Sequence, residues 1–280
     1  MHSKRTRQFV AKFFTYLLLL IGLGFVIIPF LFMISTAFKP QTYIFEMPPR
    51  LIPSEVTLKN FSDAIQKADF LLYFFNSVVV AVISTVGTVL VSALMAYAFA
   101  RLEFPFKKPL FYLLLVGMMV PSVILIIPQF IISKHLGLLN SLPGLVLVYV
   151  TMSISQQMFL LRGFFEGIPQ DLEEAALIDG ASNMQIFWRI ILPLSKPGLA
   201  TVTIFTFLYS WDEFPWAHVA IQETSKRTLP IAIALFQSQH LTQWGLVFAA
   251  SLMALIPVLL IFLFFQKYFI KGIATTGIKE

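Results

Sequence analysis

The sequence predicts an all-α membrane protein with six transmembrane helices and both termini cytoplasmic. Three observations carry this. Of 280 residues, 58% are hydrophobic and only 12% charged, and the mean hydropathy is +0.83. A soluble domain is nearer a quarter charged. The apolar residues gather in six runs of about 20 residues or more, each long enough to cross the hydrocarbon as a helix. Of the 20 lysines and arginines, 13 fall on the side that six spans give to both termini, and the positive-inside rule makes that side the cytoplasm.

The elements follow in order. Residues 1–12 form a cytoplasmic N-terminus with Lys4, Arg5, Arg7 and Lys12. The run at 13–38 is too long for a signal-peptide core of about 7–15 residues, so it reads as a retained first span. Pro29 lies inside it, where packed neighbours tolerate a kink. Residues 39–69 hold four prolines and charges of both signs. They read as an outer excursion with little regular structure and a short helix near 58–68. The second span, 70–100, carries small residues (Ser77, Ala81, Ser84, Gly87, Ser92, Ala93, Ala96) that permit close helix approach. A basic loop at 101–108 leads to a third span, 109–132, with Pro121 and Pro128 inside. A turn at 133–141 precedes the fourth span, 142–161. A polar island occupies 162–196. The fifth span is 197–217, a second outer loop 218–243, the sixth span 244–265 and a basic cytoplasmic tail 266–280. The spans and their loops thus form one transmembrane domain, 13–265, without strong internal repeats.

The island resolves into two short helices. Pro169 fits a first helical turn, and Asp171, Glu173 and Glu174 favour the positive end of a helix dipole. Leu172, Ala175, Ala176 and Asp179 share one face. The paired alanines keep that face flat enough for another backbone to approach. Gly180 suits a left-handed C-terminal cap. Ser182 and Gln185 match a capping box, Ile186, Phe187 and Ile190 form an apolar side, and Pro193 and Pro197 end the second helix. Two readings stay open on this pattern: a docking face for a soluble partner, or a connector packed on its own spans.

The spacing also carries a resemblance. Glu174-Ala175-Ala176, three residues, Gly180, nine residues, then Ile190-x-Leu192-Pro193 resembles the cytoplasmic motif of permease subunits of binding-protein-dependent ABC importers. Ile168-Pro169, residues 178–182, Trp211-Asp212-Glu213-Phe214, residues 96–101 and the tail Ile270-Lys271-Gly272 with Gly277 resemble the carbohydrate-uptake branch, and its maltose-type second permease in particular. That family usually has Asn where this chain has Asp212. The resemblance implies a type I ABC importer permease fold with a cytosolic coupling helix pair. It implies that Glu174, Ala175, Ala176, Asp179, Gly180, Ile190, Leu192 and Pro193 meet a cytosolic ATPase, with tail contacts from Lys271, Gly272 and Gly277. The implied partners are a homologous permease, forming a heterodimer, two ATPase subunits and an extracytoplasmic solute-binding protein, in a bacterial inner membrane.

Other chemistry is sparse. Gly272 to Gly277 lacks the lysine of a phosphate-binding loop, since Ile278 stands in its place. The chain therefore holds no cofactor of its own, and ATP and Mg belong to the partners. There is no Cys, hence no disulfide or thiolate site. His2, His135, His218 and His240 are isolated, without metal-ligand spacing. No basic patch interleaved with aromatics points to nucleic acid. Trp211, Asp212, Glu213 and Phe214 read either as an aromatic and acidic interface belt or as part of a sugar pathway. Gln156 and Gln157 read as pathway residues or as interhelical hydrogen bonds. The expected function is a non-enzymatic permease for a sugar or related polyol. The alternatives are the same machine for a glycerol phosphoester or another small solute, an ion-coupled carrier, or a six-span membrane enzyme.

Overall fold

The computed structural model describes residues 2–67, 69–237 and 242–276, with the backbone alone for residues 2–8, 67 and 269–276. Among the described residues, all regular structure is helical. The chain divides into two compact units, Met1–Phe70 with Ile233–Ala254, and Leu71–Ala232 with Leu255–Glu280.

The first unit begins with α1 (His2–Ala37), whose apolar stretch Phe9–Ala37 is long enough to cross a membrane. After a 3-10 turn at Gln41–Tyr43 comes α2 (Lys59–Lys67). The segment between them is more organised than its prolines suggest. Lys39 is fully buried. Its ammonium donates to Arg50 O at 2.6 Å, pairs with Glu46 at 3.3 Å and lies 5.6 Å from the Phe32 ring centroid. Asn60 Nδ2 donates to Ala37 O and Lys39 O. A buried ammonium without such partners would cost several kcal/mol, so these contacts fix the path of the segment.

The second unit is built on α3 (Phe70–Arg101). Its small residues Ala81, Ser84, Ser92, Ala93 and Ala96 are buried as expected. Next come α4 (Lys107–Met118) and α5 (Ile126–His135), joined through a 3-10 turn at Ser122–Leu125. The expected third span bends by 96° at this joint. Pro121 has no N–H to continue the ladder of α4, and its ring disfavours the helical region for the preceding residue.

A long helix, α6 (Leu142–Glu166), starts at a Ser141 cap and runs into the polar island. The island holds α7 (Asp171–Ile178) and α8 (Asn183–Ile186). A π-helical stretch, Phe187–Ile191, and α9 (Leu192–Leu194) extend α8. Two expectations are corrected here. The first short helix starts at Asp171, two residues beyond Pro169. Pro193 sits within α9 rather than ending the helix, and the turn before it widens to π geometry because its ring displaces the carbonyl four residues back.

The chain then bends by 80° into α10 (Lys196–Asp212). Pro197 begins this helix instead of closing the previous one. Gly198 is needed for close approach, since a Cβ there would lie 2.6 Å from Phe164 Cγ on α6. The fifth span thus ends at Asp212, five residues earlier than expected. The outer loop contains α11 (Pro215–Ala220) and α12 (Leu229–Leu235). Finally α13 (Trp244–Thr276) continues well past the expected end of the sixth span. Four helices, α1, α3, α6 and α13, are long and apolar enough to cross a membrane, and the two bent pairs raise the number to six.

Candidate functional site

The motif residues lie on the α7–α9 pair, at the end of the second unit where α3 and α6 finish. Local chemistry explains the pair. Asp171, Glu173 and Glu174 fill the first turn of α7, where the dipole favours them. Gly180 ends it at φ +82°, while Gly180 N donates to Leu177 O and Ala181 N to Ala176 O. These two bonds make a Schellman cap, which needs a residue tolerant of the left-handed region. Ser182 then opens α8 with both halves of the capping box: Gln185 N donates to Ser182 Oγ, and Ser182 N to Gln185 Oε1.

One side of the pair is anchored. Ile186, Phe187 and Ile191 are buried with Tyr97, Leu161 and Phe165 in a shared core, and Ala176 and Ile190 pack against it. Tyr97 on α3 meets Phe187 at a ring-centroid distance of 5.3 Å. One turn further along α3, Arg101 Nε lies 2.6 Å from Glu173 Oε1, with the two side chains only 7% and 11% exposed. Arg101 Nη2 also donates to Phe165 O at 2.7 Å and Ile168 O at 2.5 Å. One guanidinium thus joins the end of α3, the carbonyl end of α6 and the first turn of α7. Its planar fork matches this set in a way an ammonium cannot. Sequence reading placed Glu173 at a helix dipole and Arg101 at the end of a span, and missed their pairing. The available clue was a basic residue closing a long uncharged run, with an acid in the first turn of a later short helix.

The other side of the pair is uncovered. Glu174, Ala175, Asp179, Gly180 and Pro193 are exposed. So are Leu172, Leu177, Met184 and Trp188, and Ile178 is 87% exposed. Of the predicted docking residues, Ala176, Ile190 and Leu192 turn toward the core instead. A hollow of about 240 Å³ between the helices is lined by Asp179, Gly180, Arg189 and Ile190 among others. Large uncovered apolar side chains rimmed by charge mark interaction surfaces. Within the tail, Gly272 lies on α13, the Lys271 side chain is not described, and Gly277 lies outside the described residues.

At the other end of the unit, an open cavity of about 400 Å³ is lined by Gln129, Tyr149, Met152, Tyr209, Asp212, Glu213 and neighbouring residues. Glu213 is held in place: Tyr149 Oη donates to it at 2.6 Å, and Trp216 N and Ala217 N at 2.7 and 3.0 Å. It therefore caps α11. Asp212 is exposed on the cavity wall. Trp211 is buried, stacked on Phe207 and edge-on to Phe74, and Phe214 stacks on His218. Of the predicted pathway residues, only Asp212 and Glu213 line this cavity. Gln156 is exposed, and Gln157 is buried with Oε1 unpaired among the described residues. Among the described residues, no His, Asp and Glu side chains cluster as a metal site.

The profile of the family described as "Binding-protein-dependent transport system inner membrane component" matches residues 88–275. The diacetylchitobiose uptake system permease NgcG of Streptomyces coelicolor is 35% identical over 93% of this chain and 86% of its own length. The sulfoquinovosyl glycerol transport system permease SmoH of Agrobacterium fabrum is 34% identical over 90% and 88%. A subunit of a bacterial ABC transporter that imports the acidic polysaccharide alginate shares the fold, at TM-score 0.80 and 23% identity, over 93% of this chain and 96% of its own.

Proposed function

This chain belongs to the binding-protein-dependent transport system inner membrane components, a multi-pass permease subunit of an ABC importer, and on that premise we propose that α7–α9 couples it to a cytosolic ATPase. The observation that carries the reading is the two-sided helix pair. One side is bolted to α3 and α6 through Glu173–Arg101 and the Phe187 core; the other leaves Glu174, Ala175 and Ile178 uncovered. An anchored element with a free apolar and acidic face can receive a partner and pass its displacement to the spans.

The assembly would contain a homologous permease as the other half of a heterodimer, two ATPases and an extracytoplasmic solute-binding protein. Both termini and α7–α9 would face the cytoplasm of a bacterium. ATP and Mg would sit on the ATPases, since this chain has no phosphate-binding loop. The cargo is a sugar or related polyol. The cavity near Asp212 supports this, with Tyr149, Tyr209, Gln129 and carboxylates that suit hydroxyl groups. Among the described residues no cation lines it, which favours a neutral cargo over an anionic glycerol phosphoester.

The test is to purify the intact complex and present candidate solutes on the binding protein. A neutral oligosaccharide or polyol should stimulate ATP hydrolysis. Stimulation by glycerol phosphoesters alone would replace the cargo assignment, and uptake that survives ATP depletion would replace the mechanism.

A further inference from the structure

We propose that the cavity between the first turn of α4 and α6 binds the phosphate headgroup of an anionic membrane lipid. The cavity measures about 620 Å³, and its lining includes Glu103, Phe106, Lys107, Lys108, Tyr112 and Arg162. Its charged lining residues are three cations and one carboxylate, an excess that suits a phosphodiester.

The cations differ in how they are held. Lys107 Nζ donates to Leu102 O at 2.8 Å and pairs with Glu103 at 3.0 Å. Arg162 pairs with Glu166 at 2.8 Å and lies 4.1 Å from the Phe111 ring centroid. Lys108 is exposed and has no ion-pair partner among the described residues. Two of the cations are thus fixed at the cavity wall, and one is left to meet a ligand.

Backbone geometry adds to the same field. The first turn of α4 contains no acid, and Phe106 at its start, at φ +61°, provides no side-chain cap. The positive end of this 12-residue helix thus meets no acidic side chain in its first turn, where only Lys107 N is taken up, by Phe104 O.

A free phosphate would satisfy the charges alone. The surroundings select a lipid. Phe106 at the start of α4 and Leu110, Tyr112 and Leu113 on it are left uncovered by the chain, and α4 is one arm of a bent apolar helix pair. Cations at the end of a span, with an aromatic residue beside them and uncovered apolar surface below, match a headgroup above its acyl chains. A bound headgroup would brace α4 against α6, which already touch through Phe111 and Phe159. The proposal is independent of the cargo and of the ATPase contact.

The test reconstitutes the intact complex in phosphatidylcholine nanodiscs with and without phosphatidylglycerol, and counts retained lipid by native mass spectrometry. The expected result is selective retention of phosphatidylglycerol, falling about 5-fold in Lys108→Ala and about 30-fold in Lys107→Ala/Lys108→Ala. Lys108→Ala keeps the test valid if the double variant loses the Glu103 contact and disturbs the loop. Equal retention of both lipids, or unchanged retention in both variants, overturns the proposal. So does displacement of phosphatidylglycerol by millimolar inorganic phosphate, which would mark a free-phosphate site.

Discussion

Replacing Glu173 with Gln should uncouple ATP hydrolysis from transport without preventing insertion. The pair it breaks is nine-tenths buried, with a 2.6 Å contact. Arg101 keeps its two carbonyl partners, Phe165 O and Ile168 O, so its charge is not left bare. With the remaining charge still partnered, the loss stays below the roughly 3–5 kcal/mol of a buried ion pair broken to leave an orphaned ion. At about 2 kcal/mol, the ratio of α7 attached to α7 detached falls about 30-fold. The Phe187 core still holds α8, so the ATPase can dock but moves α3 less. The assay is a reconstituted complex in which ATP turnover and solute uptake are measured together. More ATP should be consumed per solute, with Arg101→Lys behaving similarly because an ammonium cannot serve all three acceptors in one plane. A cycle of Arg101→Ala, Glu173→Ala and the double variant should show a coupling energy above about 1 kcal/mol in thermal stability. Additive losses together with an unchanged ratio of ATP to solute would refute the reasoning.

Gly198→Ala should lower the melting temperature of the detergent-solubilised complex. Its Cβ would stand 2.6 Å from Phe164 Cγ, and such overpacking costs about 1–3 kcal/mol; an unchanged melting curve contradicts the packing. Asp212→Asn should reduce uptake of labelled neutral solute about 10-fold by weakening one charge-assisted hydrogen bond, and unchanged uptake removes Asp212 from the pathway. The Glu223 carboxyl is held below its ordinary range, chiefly by the hydrogen bond from Lys226 and then by that from Ser225. Its folded-state pKa is lowered, so its contribution is present above the unfolded value and is lost as pH falls through the lowered one. Protection of the Lys226 and Arg227 amides, measured against their intrinsic exchange rates, should therefore fall as pH drops through the lowered pKa, and Glu223→Gln should flatten that dependence.

Much of the fold was legible because membrane spans are long apolar runs, and length alone finds them. The caps were legible too, since Gly180 and the Ser182–Gln185 pair act through backbone groups one turn away. The 96° break at Pro121 was not, because a proline inside a span is compatible with a kink or a full break, and packing decides which. The π stretch before Pro193 has the same cause. Arg101–Glu173 joins residues 72 positions apart in the chain, and no local pattern encodes such a partner. Lys39 read as an outer charge, while its burial depends on Glu46 and the Arg50 carbonyl folding back over it. Trp211 and Glu213 looked alike as polar or aromatic pathway candidates. In the fold one is core and the other caps α11, and only Asp212 beside them is uncommitted on the cavity wall.

The coupling assignment is tested most directly at Ile178. The chain contains no cysteine, so Ile178→Cys introduces its single thiol at a side chain that is 87% exposed. Labelled with a photoreactive maleimide in the intact complex, that thiol should form a covalent adduct with the ATPase subunit, and ATP should change the yield. Phe25→Cys on α1, also exposed, should form none. An adduct with the ATPase from position 25 but not from position 178 would contradict the assignment, as would silence at 178 in a complex that still transports.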